Sequence, residues 1–151
     1  MSVHSWLTDR PLEAADVLAR VGGHEDGAVA LFLGTVRRSN AGREVAGMRY
    51  DAYLPMAERV LAAIAAEALE RLGEGSVAAA HRVGEVQLGG ASVAIAAASP
   101  HREEAFAACR YVIEEIKVRL PVWKLERYTD GTQAWLGGAP PPAPEPAEAA
   151  S

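Results

Sequence analysis

Lysine is scarce in this chain: Lys117 and Lys124 are the only two, while arginine fills the other thirteen of fifteen basic positions. Guanidinium stays charged at any physiological pH, so only these two basic side chains can shed a proton and act as nucleophile or acid–base group. Cysteine is scarcer still, and the lone Cys109 excludes a disulfide within the chain. There is no CxxC pair and no His/Cys set at zinc spacing, which argues for a reducing, cytoplasmic setting with neither metal nor cofactor. No apolar run reaches the ~18 residues that cross a bilayer, and Met1 to Arg10 lacks the apolar core of a signal peptide. A soluble protein is expected. Excess positive charge is absent too: the net charge is −5, of which Glu145 and Glu148 supply −2. Nothing in that balance draws the chain generally to nucleic acid or an anionic membrane, so any anion site must be a local cluster.

The 151 residues suffice for one domain with a proper core. Residues 1–136 read as that domain; residues 137–151, rich in proline and alanine, have nothing large to bury and read as a disordered tail. A short helix is expected from Thr8 or Asp9 through Pro11, Leu12, Ala15, Leu18 and Val21, stopped by Gly22 and Gly23. The apolar run 27–36 reads as a buried strand, Ser39 to Gly42 as a turn, and 44–53 as a second strand. Pro55 opens a helix with Met56, Val60, Ile64, Ala68 and Leu72 on one face. Strands follow over 77–83 and 92–98 around a short glycine-punctuated segment. Ser99 as cap and Pro100 as first residue then start a helix burying Phe106, Cys109, Ile113, Ile116 and Leu120. Pro121 ends it, and 122–128 with 132–136 form a closing hairpin across Asp130-Gly131. The order predicts an α+β sandwich with a mixed or antiparallel sheet. The two long helices cover one side; a dimer partner is a candidate for the other.

His101 and Arg102 fall in the first turn of the third helix, where free backbone N–H groups favour an anion such as phosphate. Taken alone they read as exposed first-turn residues rather than a site. Arg37 and Arg38, at the end of the apolar strand, supply a second cationic set if the two loops meet. Lys117 lies near the end of the third helix and Lys124 on the next strand, so a sharp turn at Pro121 allows both amines into one cleft. Crowding or drying them lowers at least one pKa. Cys109 reads as a core hydrophobe, His4 as part of a frayed start, His24 as a turn residue and His81 as a strand residue. The same residues also fit a non-catalytic module that binds a phosphorylated metabolite through Arg37, His101 and Arg102, or a Schiff-base lyase using Lys117 or Lys124.

GAVALFLGTVR at 27–37, YDAYLPMAE at 50–58, HRVGEVQLGGASVAIAAASPHREEAF at 81–106 and IKVRLPVWKLE at 116–126 together resemble one family. It is the catalytic large subunit of molybdopterin synthase, the MoaE family, and the likeness runs from about Thr8 to Leu136. The resemblance implies an α/β hammerhead fold, a homodimer, and a small ubiquitin-like partner whose terminal Gly-Gly carries a thiocarboxylate. It further implies conversion of cyclic pyranopterin monophosphate into molybdopterin by two sulfur insertions. Carried over by position, Lys117 and Lys124 match the family's active-site lysines. Thr35, Val36 and Arg37 match the pocket-lining strand end, His101 and Arg102 the anion-binding helix start, and Leu125 and Glu126 the substrate-binding residues after Lys124. The family usually has a second lysine where Leu125 stands here.

Overall fold

A computed structural model describes residues 1–137; the tail expected over 137–151 lies, but for Gly137, outside the described residues. Two sheets and three helices make up the fold. The first sheet has the order β1-β5-β7-β2, from Ser2–Thr8 (β1), Ser76–Arg82 (β5), Ala91–Ser99 (β7) and Ala28–Thr35 (β2). It is mixed, because β1 pairs parallel with β5 while the other pairs are antiparallel. The second sheet joins Ser39–Asn40 (β3), Arg43–Ala52 (β4), Val122–Tyr128 (β8) and Gln133–Trp135 (β9), with Gly84–Gln87 (β6) on β4. The expected α+β class with a mixed and antiparallel sheet is what forms.

Alternation sorts the first sheet's side chains onto two faces. Ala30, Val77, Ala79, Val93, Ile95 and Ala97 pack beneath the helices Leu54–Leu72 (α2) and Arg102–Arg119 (α3). Ala78, Ala80, Ala94 and Ala96 face the other way, where the short helix Ala14–Leu18 (α1) places Val17 with Leu12. Small residues on both faces let helices lie close on either side of one sheet. That second cover is incomplete: Val29, Leu31 and Leu33 on the edge strand β2 remain exposed.

Several local expectations are corrected. Ser2 to Thr8 is no frayed start but an edge strand held along β5; its parallel partner lies far along the chain, beyond any local pattern. The first helix starts at Ala14, not after Asp9, because Leu12 is bridged to Ala91 and the Asp16 carboxylate accepts the Glu13 N–H at 2.9 Å. In α2 the buried face runs through Ala57, Leu61, Ile64, Ala65, Ala68 and Leu72, leaving Met56 exposed. Ser99 does not cap α3; it ends β7 opposite Ala28, and His101 is the cap residue. Phe106 then points to solvent at 66% exposure, while Cys109, Ile116 and Leu120 are buried as expected. No helix of the described residues is long and apolar enough to cross a membrane.

Candidate active site

The two sheets and the end of α3 enclose a cavity of about 340 Å³. Lys117 reaches it from α3 on the ridge formed by Ile113, Ile116 and Leu120, residues three and four apart on one helix face. The α3 helix ends at Arg119 and Leu120 has extended backbone angles, so β8 can start at Val122 and return Lys124 to the same cavity. The two lysines therefore share one hollow, with Thr35, Val36 and Arg37 on its rim. Val36 fixes that rim: its N–H donates to the Gly90 carbonyl and its own carbonyl accepts from Gly89, at 3.0 and 2.9 Å.

Along β8, Lys124 and Glu126 point to the cavity opposite Tyr50 and Met48 of β4. Leu125 falls between them and, by strand alternation, faces the other side opposite Arg49; it is buried there and does not line the cavity. Its expected substrate contact is corrected on that ground. His101 and Arg102 also lie elsewhere, in an open depression with Gly27, Pro100, Glu103 and Glu104 at the start of α3. The α3 helix separates this end from Lys117 by about four turns, so within one chain the two cationic sets do not meet.

Burial shapes the electrostatics. Lys124 is pushed below the ordinary lysine value first by burial and then by the Lys117 charge. Its Nζ sits 5.9 Å from the Tyr50 ring centroid. Tyr50 itself is raised by burial, an effect partly offset by a hydrogen bond with Ser92 and reinforced by the Glu126 charge. Glu126 is 3% exposed, and both its carboxylate oxygens accept from Asn40 Nδ2 at 3.0 and 3.1 Å. The β3–β4 hairpin supplies that Asn40, and its tight turn rests on positive φ at Ala41 and Gly42.

Sequence reasoning missed Tyr50, Asn40, Ser92 and above all His81, which also lines the cavity and is 3% exposed. One signal was available: alternation puts His81 on the face of Val77 and Ala79, beneath the helices, where an imidazole is out of place among alanines.

With this geometry in view, comparison with known proteins is decisive. The MoaE protein family model matches residues 7–119. The chain belongs to the MoaE family. Among its relatives is molybdopterin synthase catalytic subunit 1 of Mycobacterium tuberculosis, 45% identical over 89% of this chain and 90% of that protein. The solved molybdopterin synthase of Staphylococcus aureus matches with a TM-score of 0.80 at 36% identity, covering 87% of this chain and 95% of that one. A Helicobacter pylori complex of subunits 1 and 2 of molybdopterin-converting factor contains a chain of the same fold, with a TM-score of 0.65 at 20% identity and 89% coverage of each chain. Membership in the MoaE family gives the chain an enzymatic role as a molybdopterin synthase catalytic subunit, in molybdenum cofactor biosynthesis.

Proposed function

We propose that the cavity is where sulfur passes from the thiocarboxylated terminus of a small ubiquitin-like partner to cyclic pyranopterin monophosphate. The observation that carries this reading is the convergence of Lys117, Lys124 and Arg37, from three separate elements, on one hollow. Both reactants are anions, and a partly dry site lined with cations stabilises them and the charge that moves between them. Phe32, Met48, Ile113 and Leu136 supply apolar walls suited to a flat ring. Lys117 contacts the partner's terminus, and attack of its neutral amine on the thiocarboxylate carbon would form an amide as the C–S bond breaks and hydrosulfide leaves. Lys124, whose proton is more easily lost than an ordinary lysine's, polarises or protonates the pterin during sulfur attack. Glu126, held by Asn40, orients the lysine beside it.

The reading includes a homodimer. Val29, Leu31 and Leu33 form an exposed apolar stripe on an edge strand, a surface that a second copy would cover. Strand β2 starts beside Gly27 in the His101–Arg102 depression and ends at Thr35 on the cavity rim. A two-fold axis near Leu31 would turn the depression of one copy toward the cavity of the other, bringing the anion-binding role of His101 and Arg102 to bear on the substrate.

Lys124→Ala tests the reading. With a thiocarboxylated partner and the cyclic pterin, dithiolene formation falls by roughly 100-fold or more, while the partner complex still forms in a gel-filtration assay. Unchanged turnover overturns it.

A further inference from the structure

We propose that His81 is a positioning residue for Lys124: its ring, tethered through Nδ1 to the Arg82 carbonyl, presents Nε2 to the cavity as the acceptor that holds the Lys124 ammonium. The contact between His81 Nδ1 and the Arg82 oxygen is 2.8 Å. A carbonyl only accepts, so Nδ1 carries the hydrogen, and in the neutral ring Nε2 keeps the free lone pair. The ring is also fixed by Tyr50, edge to face at 5.3 Å between centroids and 70° between planes. Lys124 Nζ lies near that same tyrosine ring, so histidine and lysine share one neighbour.

The ring stays neutral at physiological pH. Burial pushes His81 down to about 4; the Arg82 carbonyl acts the other way, and the charges of Lys124 and then Lys117 add to the lowering. Around the same hollow stand Lys117 from α3, Lys124 and Glu126 from β8, Tyr50 from β4, Ser92 from β7 and Arg37 after β2. Among them Glu126 already accepts from Asn40 with both oxygens. A half-buried ammonium needs acceptors in place of the water it has lost, and a permanently neutral nitrogen supplies one without trapping the proton in an ion pair.

The inference concerns the same site as the sulfur-transfer reading, but its main test does not depend on activity. Because the chain has only two lysines, labelling lysine with ¹³C at Cε yields two signals, assigned with Lys117→Arg, whose pH titrations can be followed by NMR. His81→Asn keeps a donor for the Arg82 carbonyl but is too short to reach Lys124; His81→Gln carries an amide oxygen to the Nε2 position. Losing the acceptor destabilises the ammonium, so the Lys124 titration moves to lower pH by about 0.5–1 unit in His81→Asn and returns in His81→Gln. Where the chain makes dithiolene, kcat falls roughly 10- to 100-fold in His81→Asn with KM for the pterin unchanged, and His81→Gln recovers most of it. An unmoved Lys124 titration in His81→Asn, or equal shifts in both variants, overturns the proposal. A second measurement needs no change at His81: its Nε2 ¹⁵N resonance moves when Lys124 is replaced by Met, and a resonance that stays put also overturns it. A wild-type chain that makes no dithiolene would defeat the sulfur-transfer reading while leaving both NMR tests standing.

Discussion

The two sheets of this protein are built from opposite materials. In the first, β5 and β7 are rich in alanine and buried along most of their length, and their main polar side chains at the seam are His81 and Ser92. In the second, the facing strands β4 and β8 bury Tyr50 and Glu126 and hold Lys124 partly dry. The cavity sits at the seam between them, where Ser92 Oγ of β7 still donates to the Gly34 carbonyl at 3.2 Å. Stability and chemistry are therefore largely divided: a dry, small-residue sheet anchors the elements and lends His81 and Ser92 to the seam, while a polar sheet carries the lysine and carboxylate.

The sharpest way to break this division is to exchange effects between the halves. Lys124→Ala removes the activity and leaves the thermal midpoint unchanged or slightly raised, because it relieves a half-buried charge beside Lys117. Ile95→Ala, at a fully buried position of the first sheet, does the reverse: denaturant unfolding shows a loss of about 2–5 kcal/mol. If Ile95→Ala left stability intact, or Lys124→Ala unfolded the chain, the division would fail.

Acid supplies the next effect. His81 ordinarily titrates at 6.5 but at about 4 when folded, so the unfolded chain binds its proton first. The stabilisation by neutral His81 is complete above pH 6.5 and is lost as pH falls toward 4, by on the order of 3 kcal/mol. His81→Gln should flatten that part of the stability–pH curve measured by urea unfolding. Overpacking comes next: Ala79→Leu, on the helix-covered face, costs about 1–3 kcal/mol by the same measurement.

The smallest effect lies between the helices, away from either sheet. Glu67 accepts from Arg119 at 2.6 and 3.0 Å and from Tyr111 at 2.6 Å, and these bonds, Arg119 first, lower it from 4.5 to about 2. Its contribution is present above pH 4.5 and disappears as pH falls toward 2. Since the groups are about one-third exposed, solvent screening keeps the effect small. Thermal midpoints of wild type and Glu67→Gln should differ slightly at pH 7 and converge at pH 2.

How far the sequence could be read differs residue by residue. Cys109 was legible as a core residue from its helical spacing, and burial does push its thiol up to about 11. The apolar run ending at Arg37 and the helix–proline–strand order around Lys117 and Lys124 were legible from local pattern alone, because hydrophobic period and chain breakers act within a few residues. Ser2 to Thr8 was not, since its partner strand begins over seventy residues later. Phe106 was misjudged because the stripe buried in the first turns of α3 runs through Ala105, Ala108, Cys109 and Val112, so Phe106 falls just outside it although its spacing to Cys109 and Ile113 is helical.

The sequence by itself determined the α+β class, the two scarce amines and the family they belong to, all consequences of composition and short-range order. Only the tertiary structure decided which groups share the hollow. It brought in His81, Tyr50 and Asn40, turned Leu125 away, and set His101 and Arg102 apart at the other end of α3. The reason is physical: a side chain's pKa and partners depend on what packs against it from distant strands and on how much water is excluded, and neither is written in its neighbours along the chain.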